Sequence, residues 1–443
     1  MKLPDYLYGF QAEDTEALLA QPKRLLLEPM GAGKSVMCVA AVEALDAFTI
    51  VIVCPAVMCT DWGDKFRKFG RNSYTYQMDG VGRRVIAVSF ESVNTPERRA
   101  RLLAHVKSID VLILDEAQRL KNPEAQVVAS IYGTEADGTG LVALAKRVWV
   151  VSGTLCPNHW GELYTHLRAC FPERLPIVAG KPMSHSEFVD RFCQWETTRY
   201  GVRVTGNKEP EVLRNLLKGI SIYRGRADVD KLLPKLNVST VRLPRDAIDR
   251  YVYHDLSKLP EFEALRLATI DMEAGKLPSI DDPNLARARH ALGDMKAPAV
   301  ADYVRELLAD PDNRVLVFAH HRSVLRRMAV ELVDIEPNVG VIDGFTPQRD
   351  RDVLVQGFQE KRSRLLVLGI STAREGLTLT AANRVVMAEA SWTPSHNDQA
   401  IHRAFRIGQQ RPVFAEYVCI AETLDEAVMR VCARKSGLLS QIL

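Results

Sequence analysis

Five short apolar runs, Arg24–Leu27, Thr49–Cys54, Val85–Ser89, Val111–Leu114 and Val148–Ser152, punctuate the first third of the chain. Their apolar residues follow one another instead of alternating with polar ones. A strand of that kind is buried on both faces, as in a parallel sheet covered by helices. Helix-patterned stretches such as Ser35–Leu45 and Thr95–Val106 lie between the runs. The rhythm returns at Arg314–Ala319, Gly340–Ile342, Ser363–Leu368, Arg384–Ala388 and Val413–Cys419. From Pro172 to Pro298 strand runs are few, proline and charge are frequent, and Glu261–Ala274 reads as a helix. The predicted fold class is α/β: two lobes with parallel sheets, at 1–172 and 298–443, and a helical insertion and linker at 173–297. A chain of 443 residues is long enough for cores of this size.

The stretch Glu28–Ser35, EPMGAGKS, follows the first run and precedes a predicted helix. It ends like a phosphate-binding loop, although the strict pattern has glycine where this chain has Glu28. Backbone amides of Met30, Gly31, Ala32 and Gly33 can face phosphate, Lys34 adds a positive charge, and the Ser35 hydroxyl can reach magnesium. A glycine-rich turn before a helix would read the same way. The stretch Asp110–Gln118, DVLILDEAQ, is an apolar strand ending in two acids. Asp115 is a candidate magnesium ligand and Glu116 a candidate for orienting the attacking water. The alternative is a strand followed by a helix-capping acid. Ligands bind beyond the carboxyl ends of such strands, so two α/β lobes flanking a cleft suit an ATPase.

Composition narrows the class. The chain is 47% hydrophobic and 26% charged with a net charge of +3, so no global basicity announces nucleic acid, although a basic groove could be local. No apolar run approaches the roughly 18 residues of a membrane span, and the N-terminus has no signal-peptide core. The eight cysteines show no metal spacing; Cys54 and Cys59 are the closest pair. Scattered core cysteines imply a reducing compartment, and the expected location is the cytoplasm, or a host cytoplasm for a phage-encoded chain.

The motifs together resemble helicase superfamily two and, within it, the Swi/Snf family of DNA translocases. Gly9-Phe10-Gln11 is similar to the family's N-terminal glutamine motif, and Ile52–Phe69 to the next, with its Pro, Trp and Phe. Val88–Val93, then Arg119–Gln126 with Lys121-Asn122, then Val150–Tyr164 match in order. Ile222–Leu236 resembles the arginine-rich element before the second lobe. In that lobe Val315–Leu325, Asp343–Gln359 and Leu368–Val413 match. The most specific part is Gln399-x-x-x-Arg403-x-x-Arg406-x-Gly408-Gln409, whose arginines, three apart, would share a helical face. An arginine pair at that spacing is otherwise a solvated face. Gly376–Pro394, with Glu389, Trp392 and Pro394, and Ala288–Val300, with a Gly-x-x-Lys lead-in, resemble the annealing-helicase subgroup. The resemblance runs from Gly9 to Glu422; the lack of flanking modules suggests a minimal, prokaryotic or phage version.

The resemblance implies RecA-like lobes, ATP and Mg2+ as cofactors, and movement along duplex or branched DNA without base-specific recognition and without separating strands. It gives Gln11 and Gly376 to the nucleotide alongside the loop residues, and Asp115 and Ser35 to the metal. Glu116, Gln399, Arg403 and Arg406 receive catalytic roles, the arginines reaching the γ-phosphate. Coupling would run through Ser152-Gly153-Thr154 and Ser371–Gly376. Departures are Glu28-Pro29 for Asp-Glu, Gln118 and Phe405 for histidine, and Ser35 for threonine. Gln118 keeps hydrogen-bonding capacity without charge, so an altered coupling of DNA to ATP is expected. Candidate DNA contacts are Lys65, Arg67, Lys68 and His321-Arg322, each read first as solvated surface charge; Trp392 reads as core before a stacking platform. The other functions weighed are a phosphate-loop kinase or switch, an RNA or single-strand helicase, and a non-catalytic ATP-dependent DNA clamp. A protein that targets the motor is left unidentified by the sequence.

Overall fold

The computed structural model describes residues 3–434 except 57, 71–72, 134–139, 154, 157–158, 199–200, 226–227, 230, 249, 274–282, 338 and 373–376. The chain forms two compact units, one ending at Val229 and one taking the described residues after it.

The first lobe is built on β1 (Lys23–Leu27), β2 (Thr49–Cys54), β3 (Arg84–Ser89), β4 (Ile109–Asp115) and β5 (Ala145–Val151). A later strand, β10 (Ser221–Tyr223), completes a parallel sheet in the order β10-β1-β5-β4-β2-β3. Successive residues of each central strand enter opposite cores. Leu25, Val51, Val53, Leu112 and Leu114 pack on one face, and Leu26, Ile50, Ile52, Val111 and Ile113 on the other. This two-sided burial is why the runs read as continuous.

The second lobe repeats the plan. Its sheet joins β11 (Leu236–Leu243), β12 (Val315–Ala319), β13 (Gly340–Ile342), β14 (Leu365–Gly369), β15 (Arg384–Met387) and β16 (Val413–Ile420). All are parallel, in the order β11-β16-β15-β12-β14-β13. Leu316 and Phe318 face one core, Val315 and Val317 the other. Both lobes carry parallel sheets, as expected of the α/β class.

The segment 173–297 is a correction to the predicted organisation, because it divides between the two units. Its first part carries two small antiparallel pairs, β6 (Ile177–Val178) with β7 (Lys181–Pro182) and β8 (Cys193–Thr198) with β9 (Gly201–Asn207), before β10 joins the first sheet. Its second part supplies β11, an edge strand paired only on its β16 side, so residues 239–240 stay exposed and the apolar pattern is weak. The helix Pro283–Ala309 then crosses the predicted boundary at 298 and buries Ala297, Val300, Ala301, Val304 and Leu308 in the second lobe.

Candidate functional site

In the first lobe three loops meet because β1, β5 and β4 are adjacent and parallel, so their carboxyl ends lie side by side. The loop after β1 holds Gly31 and Gly33 at φ +83° and +86°, a left-handed conformation that residues with a Cβ rarely adopt. Gly33 caps the helix Lys34–Leu45, whose first residue turns its ammonium back onto the loop. Lys34 Nζ donates to the carbonyls of Glu28 (2.9 Å) and Pro29 (3.2 Å). Gln11, buried in the helix Gly9–Ala20, braces the loop by donating to Ala32 O at 2.8 Å. That helix is itself held by Arg224, which follows β10 and donates to both oxygens of Asp14 (2.7 and 2.9 Å) and to Glu13 (2.6 Å). Arg224 belongs to the arginine-rich element of the sequence, and its role here is this anchoring.

Asp115 is the last residue of β4 and is 4% exposed. One oxygen accepts the Trp62 indole N–H (2.9 Å) and the other accepts the Glu116 backbone N–H (3.0 Å). Burial first, and then the neighbouring Glu116, push its carboxyl up to about 6. Glu116 has the left-handed backbone φ 54°, ψ 45°, uncommon for a residue with a side chain and concentrated at functional sites. Gln118 Nε2 holds the Glu116 carboxylate at 2.5 Å, and Gln118 Oε1 accepts the Ser152 hydroxyl at 2.8 Å. The glutamine therefore links the acid pair to the loop after β5, where Ser152 N donates to Leu26 O (3.1 Å). A Cβ at Gly153 would come 3.2 Å from Met30 Cγ and 3.5 Å from Lys34 Nζ, so glycine lets the two loops close up.

Ser35 Oγ accepts from Lys65 Nζ at 3.2 Å, and Lys65 also pairs with Asp61. Lys65 thus stands at the phosphate loop and is not an open DNA contact. Trp62 and Lys65 project from the helix Met58–Phe69, which makes that helix the support of both candidate metal ligands. The donor set of Ser35 hydroxyl and Asp115 carboxylate is hard oxygen, the chemistry Mg2+ requires, and a divalent cation would keep the buried Asp115 charged.

In the second lobe the helix Pro394–Ile401 stops before the arginines, which corrects the expected helical face. Arg403 and Arg406 lie on the turns that follow. Ala404 and Phe405, both buried, lie between them, and Gly408 follows at φ +102°. The arginines still converge: Arg403 Nη1 and Arg406 Nη1 lie 3.3 and 3.4 Å from Leu377 O. Gln409 fixes the turn by donating to Ala382 O (2.7 Å) and Ala404 O (3.2 Å). Gln399 is 6% exposed, and its Oε1 is buried with no partner among the described residues. Gly376 and Thr154 lie outside the described residues.

The softer candidates resolve. Arg67 pairs with Asp64 and stacks on Tyr76, and Arg322 pairs with Asp343 at 2.6 Å and stacks on Phe345. His321 donates through its backbone and Nδ1 to buried Glu389. Trp392 is core, with Arg289 stacked on it at 4.8 Å. Lys68 lies over the Phe69 ring at 5.2 Å.

With this geometry in place, the family assignment follows from the match to residues 20–280 of the SNF2-related domain, more than half of the chain. The chain belongs to the SNF2-related family. Residues 299–408 match the helicase conserved C-terminal domain. A SWI/SNF-related matrix-associated actin-dependent regulator of chromatin subfamily A-like protein 1 homolog from Caenorhabditis elegans is 28% identical, covering 99% of this chain and 62% of that protein. The DNA annealing helicase and endonuclease ZRANB3 of Mus musculus is 27% identical, over 98% of this chain and 40% of that protein. The chain thus spans from two fifths to just over three fifths of these relatives. The solved Sulfolobus solfataricus SWI2/SNF2 ATPase core in complex with dsDNA is similar over 98% of this chain and 92% of that one, with 18% identity and a TM-score of 0.44.

Proposed function

We propose that this SNF2-family chain hydrolyses ATP to move along duplex or branched DNA. The observation that carries the reading is the acid pair at the end of β4. Asp115 is buried and fixed by two donors, while Glu116 is turned out by a left-handed backbone and held by Gln118 beside the Lys34 loop. In this reading Gln11 reads the adenine and Lys34, with the loop amides, binds the phosphates. Ser35 and Asp115 hold Mg2+, which supplies charge neutralisation at the phosphates. Glu116 takes the proton of the attacking water. Arg403 and Arg406 stabilise the charge that develops on the transferred phosphoryl group, and Gln399 acts with them.

The DNA half of the proposal draws on the family and on the mouse relative's name, a DNA annealing helicase. A motor of this kind holds phosphates, so its binding is sequence-tolerant and weakens steeply with salt. The test is ATP hydrolysis without nucleic acid and with duplex, branched or single-stranded DNA or RNA, with Glu116→Gln as the control. Stimulation by duplex or branched DNA that vanishes in the control supports the reading, and preference for branches supports an annealing or fork-remodelling role. Stimulation by RNA alone assigns an RNA helicase. Binding of ATP without hydrolysis on any of them leaves a clamp.

A further inference from the structure

Cys54 and Cys59 stand apart from the other described cysteines because their sulfurs face each other at 3.7 Å. Cys54 ends β2 and is fully buried, while Cys59 is only partly buried, in the first turn of the helix Met58–Phe69. Cys59 also lines a cavity of about 430 Å3 with Met78, Ser89, Ser92, Arg98 and Arg101. That cavity gives a small solute a route to one sulfur of the pair and not to the other. The hydrogen bond between the two sulfurs holds the Cys59 thiol below the ordinary thiol range and, with burial, pushes the Cys54 thiol up. A reachable sulfur with thiolate character beside a buried resolving thiol is the arrangement of an oxidisable dithiol.

We propose that Cys54 and Cys59 are a redox modification site, closed to a disulfide by a peroxide that enters through this cavity, and that closure switches off the ATP site. In the first step the Cys59 thiolate attacks the peroxide O–O bond. That bond breaks, one oxygen stays on sulfur as a sulfenic acid, and the other leaves as water after taking a proton. In the second step the Cys54 sulfur attacks the sulfenic sulfur, the S–O bond breaks, and hydroxide leaves with the Cys54 proton as a second water. Two thiols lose two electrons and two protons, and one peroxide is reduced to two waters.

The consequence follows from the helix that Cys59 begins. A disulfide requires the sulfurs to close from 3.7 Å to about 2.05 Å, drawing the first turn of Met58–Phe69 toward the end of β2. One and two turns further along, the same helix presents Trp62 to Asp115 and Lys65 to Ser35. Misplacing such supports by around 1 Å costs up to about a hundredfold in rate. Oxidation is therefore expected to lower ATP hydrolysis by roughly tenfold or more, and a thiol reductant to restore it.

The activity half rests on the ATPase reading above; the chemical half does not. The full chain is treated with hydrogen peroxide, denatured, alkylated and mapped by mass spectrometry, with hydrolysis followed in parallel. The expected result is that Cys54 and Cys59 lose alkylation together, joined to each other, while Cys38, Cys156 and Cys170 remain alkylated. Dithiothreitol reverses both the bond and the loss of hydrolysis, and Cys59→Ala keeps its hydrolysis through peroxide treatment. Persistent alkylation of both sulfurs overturns the site. A joined pair with undiminished hydrolysis overturns the switch. An untreated chain with no hydrolysis counts against the ATPase reading, and the map still decides the site.

Discussion

In the first lobe Glu28 is fully buried behind the phosphate loop, and neither of its oxygens has a hydrogen-bond partner among the described residues. In the second lobe Lys296 is equally buried, yet it donates to Asp425 at 2.8 Å and to Val418 O at 3.1 Å. Asp425 in turn accepts from the Ile420 backbone. Burying a charge is costly unless it is paired and hydrogen-bonded, and a group left without partners neutralises instead. The second lobe thus uses its buried charge to fix structure. The first lobe keeps an unsatisfied acid beside the site it would use for chemistry, where Lys34 would meet phosphate.

The contrast is broken most directly at Lys296. Lys296→Ala leaves the buried Asp425 without its cation, and we expect a loss of about 3–5 kcal/mol, read as a fall in the denaturant midpoint. The double variant Lys296→Met/Asp425→Leu should recover most of that loss, since an apolar pair of similar volume replaces both charges. Lys34→Ala tests the chemical side. It should cost about 10²–10³ in ATP hydrolysis with little change in thermal stability, because the lysine donates to loop carbonyls.

Glu28 gives the third test through pH. Burial raises its carboxyl from 4.5 to about 8. The folded chain therefore keeps a proton that the unfolded chain releases above 4.5, so stability is fullest below that pH and falls as pH rises toward 8. Glu28→Gln should flatten this fall, gaining about 4 kcal/mol at pH 8.5 relative to its effect at pH 5, measured by thermal melts at both. Equal effects at both would show that Glu28 is solvated. The smallest change is Trp62→Phe, which removes one donor from Asp115 and should slow hydrolysis about tenfold, or about 1.4 kcal/mol, with ATP affinity nearly unchanged.

Both sheets were legible in the sequence because buried parallel strands leave uninterrupted apolar runs, as in Thr49–Cys54 and Val315–Ala319. Strand β11 was not, since an edge strand with exposed Ser239 and Thr240 carries no such run, and β10 is only three residues long. The phosphate loop and acid pair were legible as local patterns. Their supports were not, because Trp62 lies 53 residues from Asp115 and Ser152 lies 34 from Gln118, distances that only the sheet order closes. Spacing placed Arg403 and Arg406 on a helix, whereas the helix ends at Ile401 and both arginines follow it on turns. Lys65, a basic residue after a motif, looked like a DNA contact. Its i,i+4 spacing from Asp61 was the signal that it is already engaged.

The division of labour between the lobes is tested most directly by measuring ATP binding and single-turnover hydrolysis on the same samples, with duplex DNA present. The samples are the unaltered chain, Glu116→Gln and Arg403→Ala. The account predicts that both variants bind ATP within about twofold of the unaltered chain and lose hydrolysis by about a thousandfold. Hydrolysis by Arg403→Ala at the unaltered rate, or a matching loss of ATP binding in Glu116→Gln, would contradict it.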